Sequence, residues 1–197
     1  MNSDQLAKVI EALLFAADKP VPLSRFLQLL PEVKLAQIEE VVNQLNEHYQ
    51  EHAFVIIKVA GGYQIVTRSE YHEWIQRLYA ARTRPRLSQP ALEALAVIAY
   101  KQPVSRVEIE AIRGVNSDGV LGTLLERNLI AIRGRAETVG RPLLYGTTEE
   151  FLRNFGLNEL AELPRPEEVQ ALLKKRENEN QAAAEHTDSE PLKDDAT

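Results

Sequence analysis

The chain has 197 residues, of which 44% are hydrophobic and 26% are charged, and its formal net charge is −6. The absence of cysteine excludes disulfides, a thiolate nucleophile and cysteine-ligated metals. No apolar run approaches the roughly 20 residues that a membrane-spanning helix needs. The acidic balance argues against a dedicated nucleic-acid binder, whose affinity comes mainly from neutralising phosphates. The N-terminus has the pattern of a helix rather than a signal peptide, so the expected location is the cytoplasm.

Three helices are predicted at the start of the chain. Apolar residues recur at three- and four-residue steps over residues 6–17, and Pro20 ends this helix because proline cannot continue the hydrogen-bond ladder. A second helix is predicted to begin at Pro22, since proline fits the first turn of a helix. Residues 35–51 form the third helix, with apolar residues on one face.

A hairpin and a closing helix are predicted next. Residues 54–59 and 63–67 have the composition of strands, and Gly61 and Gly62 supply the positive φ angles of a tight turn. The apolar face of the closing helix consists of Tyr71, Trp74, Ile75 and Leu78.

A linker is predicted at residues 81–87, where the composition changes and proline breaks any helix. The next helix begins at Ser88 or Gln89, with Pro90 in its first turn. Its predicted buried face consists of Leu92, Leu95, Ala96 and Ala99.

Clear signals define the helix that follows. Ser105 and Glu108 have the spacing of a capping box, and Val104 and Ile109 are placed to form a hydrophobic staple. Gly114 ends this helix, because a left-handed cap costs glycine little. The sequence therefore predicts a short helix between Ser105 and Gly114.

The remaining elements are a third helix over residues 117–128, a strand over 129–133 and its partner over 143–146. The residues predicted to point inward from the third helix are Val120, Leu121, Leu124 and Leu125. Thr147 is predicted to cap a last helix. The residues which that helix would bury are Phe151, Leu152 and Phe155.

Both parts of the chain thus have the element order of a winged helix: helix, helix, helix, hairpin. Matching segments around Pro20 and Pro103 are offset by 83 residues, and those around Thr67 and Thr147 by 80 residues. Two anchors with a nearly constant offset predict the same fold twice. The predicted fold class is mainly α with small β-hairpins, an α+β protein of two tandem winged-helix domains.

Four parts of the chain are predicted: a winged helix at residues 1–80, the linker 81–87, a second winged helix at 88–163 and a tail at 164–197. Residues 165–197 carry nine acidic and five basic residues. This tail cannot bury enough apolar area to offset its conformational entropy, so disorder is expected from about residue 178.

Four segments carry a resemblance to a known family: IEALLFA at residues 10–16, EALAVIAYKQPVSR at 93–106, IRGV with Ser117-Asp118 at 112–118, and GRPLLYGTT at 140–148. On these segments, residues 6–156 resemble segregation and condensation protein B (ScpB), a bacterial partner of the SMC complex. The resemblance covers about three quarters of the chain and omits the tail. Asn128 stands where relatives often have glycine, and asparagine tolerates the left-handed region better than most residues.

The resemblance implies a non-enzymatic protein without a cofactor or a small-molecule substrate. It implies tandem winged-helix modules that form a homodimer, mainly through the N-terminal module. It further implies binding to the kleisin ScpA, which bridges the ATPase heads of SMC, in a complex that organises and segregates chromosomes. The ATPase belongs to SMC, and this chain would associate with the nucleoid through the complex.

The alternative function is a DNA-binding transcriptional regulator, since winged helices commonly bind DNA. Both predicted third helices argue against it, because they carry carboxylates where base recognition needs Arg, Lys, Asn or Gln. Contact with DNA is therefore expected to be indirect or weak. Its candidate residues are the linker and wing arginines Arg82, Arg84, Arg86, Arg133 and Arg135. Solvated linker and hairpin arginines explain this set more simply.

Two sets of residues are candidates for protein contacts. The second helix is too apolar for a half-exposed element, and its predicted dimer-interface residues are Phe26, Leu27, Leu29 and Leu30. The kleisin is expected as an amphipathic segment laid into a groove on the C-terminal module. The family motifs contribute residues that are either a partner-binding edge or structural, with the structural role favoured: Arg113, Gly114, Gly140, Arg141, Pro142, Tyr145, Gly146 and Thr147.

The sequence predicts no catalytic, cofactor or metal site. His48 and His52 are four residues apart on a helix, but a metal site needs three or four converging ligands and no third histidine lies nearby in the sequence. A phosphate-cradling glycine loop and a Ser-His-Asp set with a supporting motif are also missing from the sequence.

Overall fold

A computed structural model describes residues 2–79, 85–165 and 167–169. The chain divides into two compact units, Met1–Leu160 and Ala161–Thr197. Within the first unit, residues 2–79 are called the first module here and residues 85–160 the second module. In the described ranges, no helix combines the length and the apolar character needed to cross a bilayer. The predicted disorder from residue 178 lies outside the described residues.

The core of the first module is formed by three helices and one face of a small sheet. Helix α1 is Ser3–Phe15, α2 is Leu23–Leu29 and α3 is Leu35–His48. These helices and the sheet enclose an apolar cluster of Leu6, Ile10, Leu14, Phe26, Val33, Ile38, Val41, Val42, Leu45, Tyr49, Ile56 and Tyr63. The predicted helices are confirmed, although α1 and α3 end two to three residues earlier than the sequence analysis placed them.

The first sheet has three antiparallel strands in the order β1-β3-β2: β1 is Val21–Pro22, β2 is Phe54–Val59 and β3 is Gly62–Thr67. The predicted turn is wrong by one residue, because Ala60 (φ 49°) and Gly61 (φ 74°) carry the positive φ angles. Gly62 is instead required by close packing. A Cβ there would lie 2.4 Å from the carbonyl oxygen of Val21.

The closing helix of the first module, α4 (His72–Leu78), follows a 3₁₀ turn at Ser69–Tyr71. None of its residues is buried. Of the predicted apolar face, Ile75 is half-buried, and Tyr71, Trp74 and Leu78 are exposed in the described part of the chain. The core of the module is already closed by the three preceding helices and the sheet, so α4 remains on the surface.

The second module repeats the arrangement with α5 at Gln89–Lys101, α6 at Arg106–Arg113 and α7 at Asp118–Glu126. The buried face of α5 consists of Ala91, Ala94, Leu95, Ile98 and Ala99. Leu92 and Ala96 were predicted on that face but are exposed. Alanines line the real contact because α6 and α7 both pack against α5, and small side chains allow that close approach.

The second sheet has the equivalent order β4-β6-β5, with β4 at Val104–Ser105, β5 at Ile130–Arg135 and β6 at Leu143–Thr147. The register repeats a pairing of the first sheet, since Val104 pairs with Tyr145 as Val21 pairs with Tyr63. The predicted α+β class, mainly helical with two small antiparallel sheets, is thus confirmed.

The last helix, α8 (Glu149–Phe155), begins one residue later than predicted. Its cap is Thr148, whose hydroxyl accepts a hydrogen bond from the amide of Phe151 at 3.2 Å. Thr147 cannot serve as the cap because it is buried as the last residue of β6. Phe151 is buried as predicted, whereas the ring of Phe155 is 48% exposed.

The hairpin tip of the first module contacts the segment after α8. The amide of Ala60 donates to the carbonyl of Leu157 at 2.9 Å. The amide of Gly61 donates to Oδ1 of Asn158 at 3.1 Å. The two modules are therefore joined by hydrogen bonds as well as by the chain.

Candidate partner-binding surfaces

Arg113 forms a polar joint between three helices of the second module. Its side chain is only 4% exposed, and its guanidinium donates to the Ser117 hydroxyl at 2.7 Å and to the Glu93 carboxylate at 3.4 Å. The amide of the fully buried Ser117 donates to the Glu110 carboxylate at 3.0 Å. Gly114 ends α6 with φ 73°, as predicted. These contacts favour the structural role for Arg113 and Gly114.

The predicted capping box at the start of α6 is also present. The hydroxyl of Ser105 accepts from the amide of Glu108, and the Glu108 carboxylate accepts from the amide of Ser105 at 2.8 Å. Hydrogen bonds from Ser105 hold the pKa of Glu108 below its ordinary value. Arg106 acts in the same way on Asp118, whose pKa is lowered by their direct hydrogen bond. Both carboxylates therefore stabilise this region when ionised.

The wing turn is built by Gly140, Arg141 and Pro142. Gly140 has φ 82° and Arg141 has φ 42°. The Arg141 amide donates to Thr138 at 2.9 Å, and the Pro142 carbonyl accepts from Ala136 at the same distance. This part of the family motif therefore shapes the turn and leaves the Arg141 side chain exposed.

The rest of the motif lies inside the module. Tyr145 is 8% exposed, and Thr147 donates its amide to Oε1 of Gln102 at 2.8 Å. The Gln102 amide group returns a hydrogen bond to the Thr147 hydroxyl at 2.9 Å. A Cβ at Gly146 would lie 2.8 Å from both Gln102 and Arg133 side-chain atoms. Tyr145, Gly146 and Thr147 thus have structural surroundings that explain the motif.

The predicted dimer residues on α2 do not all lie on the surface. Phe26 was predicted wrongly as an interface residue, because it is fully buried in the core of its own module. Leu27 is 39% exposed, Leu29 is 44% exposed and Leu30 is half-buried. Leu29 and Leu30 border a shallow pocket of about 370 Å³.

A more exposed apolar surface lies on α4 and the turn before it. Tyr71 is 41% exposed, Trp74 62% and Leu78 72%. These three residues are called the α4 face below. Sequence analysis found their shared face but not their exposure, because periodicity shows that a helix has an apolar side and not what covers it.

A second exposed apolar surface lies on α6 and the residues after it. Val107 is 63% exposed, Ile112 55% and Val115 55%. Ile112 and Val115, at the C-terminal end of α6, are called the α6 face below, and the Ser105 cap and the Arg113 joint hold this helix in place. Val107 is five residues from Ile112 and lies about 140° around the helix from it, so it is not part of this face. A rigidly held apolar surface can accept the apolar side of an amphipathic helix without first becoming ordered.

The candidate DNA-contacting arginines are partly engaged in the fold. Arg133 donates to the carbonyl of Thr147, and Arg135 donates to the carbonyl of Arg141 at 3.1 Å. Arg86 is exposed, and the remaining two candidates, Arg82 and Arg84, lie outside the described residues. Backbone hydrogen bonds of the wing arginines favour a structural explanation, while their exposed positions leave room for weak phosphate contact.

His48 and His52 belong to an aromatic cluster. Their ring centroids are 5.8 Å apart, and the His52 ring also lies 5.5 Å from Tyr49 and 5.3 Å from Phe54. The Tyr49 hydroxyl donates to Glu11 at 2.5 Å, and burial is the largest cause that raises the pKa of Tyr49. Within the described part of the chain, no three potential metal ligands converge.

A groove of about 390 Å³ runs between the modules and is lined by residues of both, including Lys19, Ala60 and Arg133. It also contains acidic residues. Glu150 pairs there with Arg153 at 2.8 Å. Because the groove is lined by both basic and acidic side chains, its charge favours neither an anionic nor a cationic ligand.

Comparison with known proteins adds to this geometry. Residues 8–166 match the family model for segregation and condensation complex subunit ScpB. Segregation and condensation protein B of Syntrophotalea carbinolica is 45% identical over 180 residues, which cover 90% of both chains. The protein of the same name from Moorella thermoacetica is 47% identical over 171 residues, covering 86% of this chain and 87% of that one. The crystal structure of ScpB from Mycobacterium tuberculosis is 31% identical with a TM-score of 0.38, covering 80% of this chain and 98% of that chain.

Proposed function

We propose that this chain, which belongs to the segregation and condensation complex subunit ScpB family, is a non-enzymatic adaptor of the SMC condensation complex. The observation that carries the proposal is a family match from residue 8 to residue 166, which covers the second module and all of the first except residues 2–7. As the family resemblance implies, the adaptor would form a homodimer through its first module and bind the kleisin ScpA. Its place would be the cytoplasm, on the nucleoid, where the complex acts in chromosome condensation and partition.

The α6 face is the proposed kleisin site on the second module. Its exposed apolar residues are Ile112 and Val115. They lie on or next to a helix with a capped start, a left-handed glycine end and the buried Arg113 joint. An amphipathic kleisin helix would cover these side chains and remove their apolar area from water. The motif residues beneath the face would act by fixing its shape.

The test is size-exclusion chromatography with light scattering of the protein alone and mixed with the matching ScpA-like kleisin. A dimer that forms a stable stoichiometric complex with the kleisin supports the adaptor function. Ile112→Asp should weaken the kleisin complex by about 100-fold, the effect of losing a central interface residue. Val139→Asp is the matched control, because Val139 is a fully exposed apolar residue of the wing. A protein that ignores the kleisin would contradict the proposal.

Any DNA contact is proposed to be weak and to use exposed arginines such as Arg86, Arg133 and Arg135. Phosphate contacts lose affinity steeply with salt. Neutralising these arginines should therefore reduce the binding seen at low salt and leave kleisin binding unchanged. Sequence-specific binding at physiological salt would instead favour the transcriptional-regulator alternative.

A further inference from the structure

We propose that the α4 face, formed by Tyr71, Trp74 and Leu78, is the surface on which a second copy of this chain docks. The inference rests on the proposed homodimer and identifies its contact surface. The proposed dimer interface is therefore on α4, whereas the sequence analysis placed it on α2 of the same module.

The α4 face is apolar surface that the protomer leaves in water. Trp74 and Leu78 are 62% and 72% exposed, values well above those of Leu27 and Leu29 on α2. No residue of α4 belongs to the buried core of the first module. The helix therefore contributes little to folding of its own module, and its apolar composition needs another explanation.

The internal repeat shows how the equivalent helix behaves in the second module. At the offset of 80 residues, Tyr71 corresponds to Phe151, which is 3% exposed and helps to fill the core. Trp74 and Leu78 correspond at the same offset to Asn154 and Asn158. Asn154 is exposed on α8 and Asn158 follows the end of that helix, so both positions are polar in the second module and apolar in the first. Phe155 is the apolar residue that α8 leaves 48% exposed.

The charges of α4 suit contact with an identical surface. Glu73 and Arg77 pair at 2.5 Å along the helix, and the Arg77 guanidinium lies 5.0 Å from the centre of the Trp74 ring. In a two-fold dimer each patch meets its own copy, so an unbalanced charge would meet the same charge. A face whose neighbouring charges are already paired avoids that repulsion.

The size and composition of the face fit the centre of an interface. At about 200 Å² for each aromatic side chain, the exposed fractions of Tyr71 and Trp74 amount to roughly 200 Å², and Leu78 adds further apolar surface. A stable interface takes about 800 Å² from each partner, with an apolar centre and a polar rim. Trp and Tyr are also the residues most enriched among those that dominate binding.

The test is sedimentation equilibrium of the full chain carrying Trp74→Ala or Leu78→Asp. Each should raise the dimer dissociation constant by about 100-fold or more, because each removes a central interface residue. An unchanged circular dichroism spectrum would confirm the fold, whereas the Tm should fall because the dimer no longer stabilises the folded state. Val139→Asp is the control for surface charge, and Leu29→Asp tests α2 directly.

Dissociation by the two α4 variants but not by Leu29→Asp supports the inference. Dissociation by Leu29→Asp alone would overturn it and return the interface to α2. Loss of kleisin binding by α4 variants that stay dimeric would also overturn it. Wild-type protein that is monomeric yet binds the kleisin would remove this surface assignment while leaving the adaptor function in place.

Discussion

The two modules attach their hairpins to their helices by one side-chain amide each, but from different positions. In the first module Asn46 of α3 bonds the backbone of Ile56 in β2, donating to its carbonyl and accepting from its amide, both at 2.9 Å. In the second module Gln102, after α5, accepts from the amide of Thr147 in β6 at 2.8 Å and donates to the Thr147 hydroxyl at 2.9 Å. In both modules a side-chain amide satisfies the N–H of a strand residue, but only Asn46 also satisfies the carbonyl of that residue.

The features that the two modules share are buried apolar contacts and the backbone pairing of the strands. Tyr63 and Tyr145 occupy the same register opposite Val21 and Val104, and both tyrosines are buried. The strand order of the two sheets is also the same. The comparison indicates that apolar packing and sheet register specify the winged-helix topology, whereas the polar joints are individual to each module.

The largest expected loss of stability comes from removing one buried aromatic ring from the core of each module. Phe26→Ala should lower the free energy of unfolding by about 4 kcal/mol, and Phe151→Ala by about 3 kcal/mol, since both rings are buried. Urea denaturation measures the loss, and hydrogen exchange locates it. Loss of protection confined to the mutated module would show two separable cores. Equal loss in both modules would mean that they unfold as one unit.

A smaller effect is expected at the glycines that face close neighbours. Gly62→Ala should cost about 1–3 kcal/mol, because its Cβ would meet backbone of Val21 that cannot move aside. Gly146→Ala should cost less, since the neighbours there are side chains of Gln102 and Arg133 that can shift. Thermal unfolding measures both. Gly119→Ala is the control, as nothing lies near its added Cβ in helix α7, and a small gain in Tm is expected.

The two amide joints provide the most direct test of the comparison. Asn46→Leu and Gln102→Leu should each cost about 1–3 kcal/mol, because each leaves a backbone amide inside the module without its partner. The double variant should show the sum of the two effects, since the joints share no atoms. A double variant much less destabilised than that sum would contradict the independence of the modules.

The smallest expected effect concerns the capping box of the second module. Ser105→Ala should cost about 1 kcal/mol in stability near neutral pH. The Glu108 carboxyl has a lowered pKa in the folded protein, so its contribution is present above its ordinary value of 4.5 and is lost as the pH falls through the folded pKa. Asp118 acts in the same direction.

This second module should therefore lose stability on acidification below about pH 5, and Glu108→Gln should flatten that dependence. Hydrogen exchange at α6 as a function of pH measures it. A wild-type profile that stays level between pH 5 and pH 3 would contradict the assignment.

Much of the fold could be predicted because helices and hairpins leave local signals. The capping box at Ser105 and the glycine at the end of α6 are local chemistry, and both are confirmed. The two-residue strands β1 and β4 were not predicted, because two residues have no periodicity. The cap was assigned to Thr147 instead of Thr148 because adjacent identical residues give the same signal, and only the end of β6 separates them.

The binding surfaces were harder to predict because exposure depends on packing between distant segments. Phe26 and Leu27 are neighbours of similar hydrophobicity, yet one fills the core and the other is 39% exposed. Likewise, Tyr71 and Phe151 have the same place in the repeat, and only the second is covered by its own module. Sequence patterns identify the apolar side of each helix, and the tertiary structure decides whether anything meets it.

The hydrogen bonds at the hairpin tip determine where the chain can be truncated without changing the first module. A fragment that stops at residue 80, or one that stops at Gly156, removes both acceptors of the Ala60 and Gly61 amides, the Leu157 carbonyl and the Asn158 side chain. The shortest fragment that retains the native surroundings of this turn extends to residue 158. Deletion mapping of partner binding with shorter pieces would therefore alter the first module even when every deleted residue belongs to the second.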